Sequence, residues 1–251
     1  MGILNTTPDS FSDGGRYLDG EAAVAHGLSL VAAGADVVDV GGESTRPGAE
    51  PVGASEEADR VVPVIAALAP HVRVSVDTRK ASVAEAAIAA GATLVNDVGA
   101  SLHETAAAHG VGWVAMHMQG RPQTMQQDPH YDDVVAEVAA FLLERAGRAR
   151  EAGVGEVWVD PGIGFGKTAA HNVELLARLD ELVALGAPVL VGTSRKAFLG
   201  GLTGGAGVDD RLEASVATAL WALSQGAAMV RVHDVAATVA GVRIMSDEVA
   251  A

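Results

Sequence analysis

The sequence predicts an α/β fold, a single-domain (β/α)8 TIM barrel over residues 1–251. Three observations lead there. Short runs rich in Val, Ile and Leu recur eight times along 251 residues, a length at which α/β barrels commonly close as one domain. The runs show no in/out alternation, which suits parallel strands covered on both faces. Between them lie Ala-rich stretches at helical spacing, several of which stop at a glycine.

The elements follow in order. Met1–Leu4 is the first strand run, and Glu21–Ala33 the first helical stretch, stopped by Gly34. Asp36–Val40 is followed by the helix Ser55–Leu68. Val72–Val76 leads to the helix Ser82–Ala90, and Gly91 separates it from Thr93–Val95. Gly110 precedes Gly112–Met116. The longest helical stretch, Val134–Ala152, ends at Gly153 before Glu156–Val159. Val173–Leu185 and Gly186 precede Pro188–Val191; Leu212–Gln225 and Gly226 precede Ala228–Val232. Glycine at these stops supplies the left-handed C-cap that returns the chain to the next strand. An open doubly wound sheet is the runner-up, because a pattern of runs does not by itself prove closure. The first run opens at Met1, and the sequence does not show what covers the N-terminal ends of the strands.

Composition narrows the function. Seventeen basic against 32 acidic residues give a net charge of −15, which argues against a nucleic-acid partner, whose phosphates require a basic face. With no cysteine, disulfides, thiolate chemistry and cysteine-ligated metals are excluded. No apolar stretch reaches the roughly 18 residues of a membrane span, and no signal segment opens the chain. The expectation is a soluble cytoplasmic protein without a membrane partner.

In a parallel barrel the C-terminal strand ends form one rim, where chemistry resides. Here strand 1 ends in Asn5 and strand 2 in Asp39, before Gly41-Gly42-Glu43-Ser44-Thr45-Arg46-Pro47-Gly48. Strand 3 gives Asp77, Thr78 and Arg79; strand 4 gives Asn96 and Asp97; strand 5 ends at Met116-His117. Strand 6 opens into Asp160-Pro161-Gly162-Ile163-Gly164-Phe165-Gly166-Lys167, strand 7 into Ser194-Arg195-Lys196, and strand 8 carries Arg231, His233 and Asp234. One polar residue after a strand is often only a helix cap, an even bet for Asp77-Thr78 or Asn96-Asp97 taken alone. Eight polar strand ends on one rim point instead to a polar ligand site. Arg46, Arg195, Lys196, Arg231 and His233 gather positive charge on an acidic body, which suits a phosphate or pyrophosphate. Asp77, Asn96 and Asp160 offer acceptors that suit a flat heterocycle with several N–H donors. Phe11, Pro47 and Phe165 offer flat surfaces to an aromatic co-substrate, with ordinary packing an equal reading for Phe165.

Two near misses fail. Gly162–Thr168 ends like a phosphate-binding loop, but Pro161 breaks the required glycine spacing. The eight histidines form no zinc-type pair, His103, His109, His130 and His171 read as surface or loop residues, and Asp128–Asp133 reads as a solvated loop before a helix.

Taken together the motifs resemble those of the dihydropteroate synthase family. Asn5-Thr6-Thr7-Pro8-Asp9-Ser10-Phe11-Ser12-Asp13-Gly14-Gly15 is similar to its first loop, and Gly41–Ala49 to its second. Ser75–Thr78, Val95–Val98, Met116-His117, Asp160–Lys167, Ser194–Lys196 and Arg231–Val235 follow in the family's order. The resemblance covers essentially the whole chain and implies condensation of 6-hydroxymethyl-7,8-dihydropterin pyrophosphate with 4-aminobenzoate. It implies that Asp77, Asn96 and Asp160 bind the pterin, with Lys196 over it and Met116 nearby. It implies that Asn5 holds Mg2+ and pyrophosphate, and that Arg231 and His233 clamp the leaving phosphates. Thr45, Arg46 and Pro47, with Asp9 and Phe11, would build the aminobenzoate pocket with Phe165, and Asp9 would stabilise a pterin methyl cation. Catalytic roles thus fall to Asp9, Lys196, Arg231 and His233, in an expected homodimer. A methyltetrahydrofolate-dependent methyltransferase barrel and a silent pterin-binding paralogue are the alternatives; the first has no need of the two long loops.

Overall fold

The computed structural model describes residues 1–6, 16–44 and 50–246. Strands β1 (Gly2–Asn5), β2 (Val37–Gly41), β3 (Arg73–Asp77), β4 (Leu94–Asp97), β5 (Gly112–Met116) and β6 (Val157–Asp160) pair in chain order as one parallel sheet. Strands β7 (Leu190–Val191) and β8 (Met229–Val230) form a parallel pair. Two bridges join the pieces, Val159 with Val189 and Gly2 with Val232. At the second, Ile3 N–H donates to the Val232 carbonyl at 3.0 Å and Val232 N–H to that of Met1 at 3.0 Å. The ring is closed, which disposes of the open-sheet alternative.

Strand residues divide between two cores. Val38, Val40, Val74, Val76, Val95, Ala115 and Val159 pack outward against the helices, while Val37, Leu94, Val114 and Leu190 fill the barrel with Met1. Both faces are thus dry, so alternation is absent although side chains still alternate in direction. Beneath the interior cluster, Arg73 donates to Glu156 at 2.9 and 2.6 Å, and Trp158 Nε1 donates to the same carboxylate at 2.6 Å.

The helices are α1 (Arg16–Ala32), α2 (Ala54–Leu68), α3 (Ala81–Ala89), α4 (His103–His109), α5 (Val134–Glu151), α6 (Ala169–Ala177), α7 (Leu179–Val183), α8 (Ala197–Leu202), α9 (Leu212–Ser224) and α10 (Val235–Met245). All six glycines expected to stop helices have positive φ. Helix α1 begins earlier than expected. The single stretch Val173–Leu185 is instead two helices, broken where Arg178 leaves helical torsions at φ −112°, ψ 31°. Helices α4, α8 and α10 went unread because the first two have fewer than eight residues and α10 follows the last strand. Among the described residues no helix is long and apolar enough to cross a membrane.

Candidate active site

Parallel pairing sets one level of the rim. Asn5 is in register with Gly41, Gly41 with Asp77, and Asp77 with Asn96, while Met116 is in register with Asp160. Gly41 carries no side chain between its two neighbours; a Cβ there would lie 3.8 Å from Asn5 Oδ1 and 3.7 Å from Asp77 Oδ2.

Arg231 reaches across from β8. Its Nε donates to Asp39 Oδ2 at 2.6 Å and its Nη2 to Asp77 Oδ2 at 2.8 Å. Asn96 Nδ2 donates to the same Asp39 oxygen at 2.9 Å, which turns the Asn96 carbonyl oxygen away from Asp39. Asp39 is wholly buried, and its Oδ1, like the Ser75 hydroxyl on the neighbouring strand, has no hydrogen-bond partner among the described residues. Desolvation pushes the Asp77 carboxyl up to about 7, while the Arg231 guanidinium pulls it back down. Asp160 is also raised by burial, with the Lys196 ammonium opposing; its Oδ1 accepts Gly162 N–H at 2.7 Å.

Lys196 lies on the other wall. Its Nζ donates to the Ile163 carbonyl and stands 4.8 Å from the centre of the Phe165 ring. Burial pushes its ammonium down to about 8 against the pull of Asp160. The Ser194 hydroxyl oxygen accepts the His233 N–H at 3.1 Å and lies 3.0 Å from His233 Nδ1. The Ser194 hydroxyl thus ties the His233 backbone to its ring, since it has both a proton and a second lone pair to offer Nδ1.

Nine residues of the expected site are described, and they gather on one rim: Asn5, Asp77, Asn96, Met116, Asp160, Phe165, Lys196, Arg231 and His233. Asp9, Phe11, Thr45, Arg46 and Pro47 lie outside the described residues. The cap reading holds for neither pair: Asp97 accepts the backbone N–H groups of Gly99, Ser101 and Leu102 and the Trp113 Nε1–H, bracing the turn before α4 without being its N-cap, and Asp77 takes the Arg231 guanidinium. Asp133 caps α5 through Val135 and Ala136 N–H, as the acidic loop suggested. Asp39, in the sequence one polar strand end among eight with no role of its own, is the residue on which Arg231 and Asn96 converge, as a carboxylate inside an apolar strand run requires of a buried partner. Among the described residues no three His, Asp or Glu side chains converge to hold a metal ion.

Known proteins decide the family. The pterin binding enzyme model matches residues 1–233. A dihydropteroate synthase of Escherichia coli K12 is 47% identical over 253 residues, covering 98% of this chain and 89% of the relative. This chain belongs to the dihydropteroate synthase family of pterin-binding enzymes. A Xanthomonas albilineans dihydropteroate synthase solved with 4-aminobenzoic acid superposes with a TM-score of 0.93 at 50% identity, covering 100% of this chain and 93% of that one. The same organism's synthase in complex with 7,8-dihydropteroate gives 0.89 at 47% identity, with the same coverage. Both are members of this transferase family, and both share the barrel described above.

Proposed function

We infer that the chain is a dihydropteroate synthase of folate synthesis. It joins 6-hydroxymethyl-7,8-dihydropterin pyrophosphate to 4-aminobenzoate and releases pyrophosphate and 7,8-dihydropteroate. The observation that carries this reading is the rim itself. Asp77, the outward Asn96 carbonyl and Asp160 form an acceptor wall, and Lys196, Arg231 and His233 gather cationic and N–H donor groups beside it. An aminopyrimidinone edge presents N–H donors to such a wall, and an unmade bond there is costly, which gives specificity. Met116, buried beside Gly162, packs near the ring.

Arg231 and His233 hold the leaving phosphates as negative charge develops on them. The C–O bond to the pterin methylene breaks first, its electron pair leaving with pyrophosphate. The resulting cation is stabilised by Asp9, and the aniline nitrogen of 4-aminobenzoate then attacks and sheds a proton to solvent. A neutral aniline is already nucleophilic, so no strong base is needed. Thr45, Arg46 and Pro47, with Phe11 and Phe165, form the aminobenzoate pocket and exclude water that would capture the cation. The donor set fits Mg2+: an amide oxygen on Asn5, opened by Gly41, supplements substrate phosphates in the way this ion prefers. Bound there, the ion would neutralise charge on the departing pyrophosphate. One barrel domain over the whole chain, a cytoplasmic location and a homodimer complete the reading.

The test is pyrophosphate release from dihydropterin pyrophosphate with Mg2+, with and without 4-aminobenzoate. Release that depends on aminobenzoate and yields dihydropteroate is expected. Binding of the pterin without turnover would favour a silent paralogue.

A further inference from the structure

The segment rejected above as a phosphate-binding loop has a different organisation. Gly162, Gly164 and Gly166 all take positive φ, between 61° and 83°, so the run that carries Phe165 is built on flexible residues. Every carbonyl from 162 to 166 is nevertheless taken by a side chain. Lys196 donates to Ile163 O, Gln126 Nε2 to Gly164 O at 2.6 Å, and the Tyr131 hydroxyl to Gly166 O at 2.8 Å. Lys167 takes the other two, Gly162 O at 3.0 Å and Phe165 O at 3.1 Å.

Lys167 is the centre of this arrangement. It is 3% exposed, and besides those two carbonyls its Nζ meets His117 Nδ1 at 2.9 Å and, more distantly, the His117 carbonyl at 3.5 Å, with no carboxylate oxygen bonded to it among the described residues. Burial holds His117 neutral, its pKa down to about 3, and lowers Lys167 to about 7. The cluster closes in either lysine state. An ammonium donates to both carbonyls and to Nδ1; a neutral amine donates to both carbonyls and accepts from Nδ1–H. A buried amine of this kind, spent on loop carbonyls rather than on a carboxylate, is costly unless the loop geometry it enforces matters.

We propose that Lys167 is a positioning residue for the second substrate, clamping the Gly162 and Phe165 carbonyls so that the Phe165 ring is held under Lys196 as a wall of the aminobenzoate pocket. Of the pterin acceptors, Asp77 and Asn96 stand on strands Lys167 does not touch, and only Asp160, which accepts Gly162 N–H at 2.7 Å, adjoins the clamped turn, so pterin affinity is expected to change less than aminobenzoate affinity. The inference rests on the synthase reading of this site.

The test uses two variants of the full chain. Lys167→Met keeps the length of the side chain and removes every donor. Its KM for 4-aminobenzoate is expected to rise about tenfold, while the Kd for dihydropterin pyrophosphate changes less than about threefold. The sequence holds no cysteine, so Lys167→Cys introduces a single thiol. Alkylating it with 2-bromoethylamine in denaturant and refolding restores an amine at nearly the original reach, with wild-type chain carried through the same steps. Recovery of the aminobenzoate KM to within about threefold of wild type supports positioning by the amine. An unchanged KM in Lys167→Met, a parallel loss for both substrates, no recovery on alkylation, or refolding only with the amine present would each overturn it in favour of a packing role. A wild-type chain that makes no dihydropteroate would instead refute the synthase reading, a result visible before any variant is measured.

Discussion

Asp77 is a carboxylate held between two opposed influences, desolvation that favours its proton and Arg231 that favours its charge. Burial wins, lifting it from an ordinary value of 3.8 to about 7. The ionised form is the one that accepts a pterin N–H, so affinity for dihydropterin pyrophosphate should fall as pH drops through 7, by roughly tenfold per unit once protonation dominates. Calorimetric titration between pH 5.5 and 8.5 measures this; a flat profile would remove Asp77 from recognition. The linked effect on the free chain has the opposite sign. Between 3.8 and about 7 the unfolded chain releases this proton while the folded chain keeps it, so the contribution of Asp77 to stability is full below 3.8 and lost as pH rises to about 7. Thermal melts of Asp77→Asn should therefore depend less on pH across that window than those of the parent chain. The carboxylate was legible in the sequence because it ends a strand run. Its partner was legible too, but their contact was not: Arg231 lies 154 residues from Asp77 and 192 from Asp39. Asp39 is legible as the polar end of strand 2, but a run buried on both faces does not announce which of its residues face inward, so its bonds to Arg231 and Asn96 are not legible.

At the scale of elements the sequence carried nearly everything that apolar runs and glycine stops encode. All eight strands lie where Val- and Ile-rich runs predict them, with shifts of about a residue at most starts, and the C-cap glycines lie at positive φ. Short helices such as α4 and α8 escaped because fewer than eight residues show little periodicity, and the break at Arg178 escaped because its side chain is held by Asp133, Glu174 and Glu181 rather than by any local stop signal. Glycines of similar torsion are not equivalent, however. Gly186 has φ 77° and open space around it, while Gly162 has φ 64° and a Cβ there would overlap the His117 carbonyl oxygen. Gly186→Ala should lower the stability by about 1 kcal/mol, the cost of the torsion alone. Gly162→Ala should cost clearly more, about 3 kcal/mol or above, because backbone on both sides of the β5–β6 rim must shift as well. Urea midpoints with unchanged slopes would check the ordering, and equal losses at the two sites would contradict it.

The whole molecule presents an electrostatic difficulty to its inferred substrate. A chain of net charge −15 must take in a pyrophosphate ester, yet Lys196 and Arg231 are partly committed to Ile163, Asp39 and Asp77. Their charge offsets local carboxylates before it offsets any phosphate, and long-range attraction is screened within about 8 Å at physiological salt. An ion carried by the phosphates themselves resolves this, since Mg2+ needs few protein oxygens and Asn5 offers one. Such an ion belongs to the complex rather than to the free chain. EDTA should therefore leave the melting temperature of the free chain within about one degree of its value without chelator, because nothing bound is withdrawn from the folded state. Pyrophosphate with Mg2+ should raise the same temperature by roughly 5–10 °C at about a hundred times its Kd, and pyrophosphate in EDTA by much less. Turnover should fall with chelation in parallel with that lost stabilisation. A melting temperature that drops by several degrees on chelation would reveal a resident metal, and equal stabilisation by pyrophosphate in both conditions would show that Arg231, His233 and Lys196 suffice to neutralise the anion unaided.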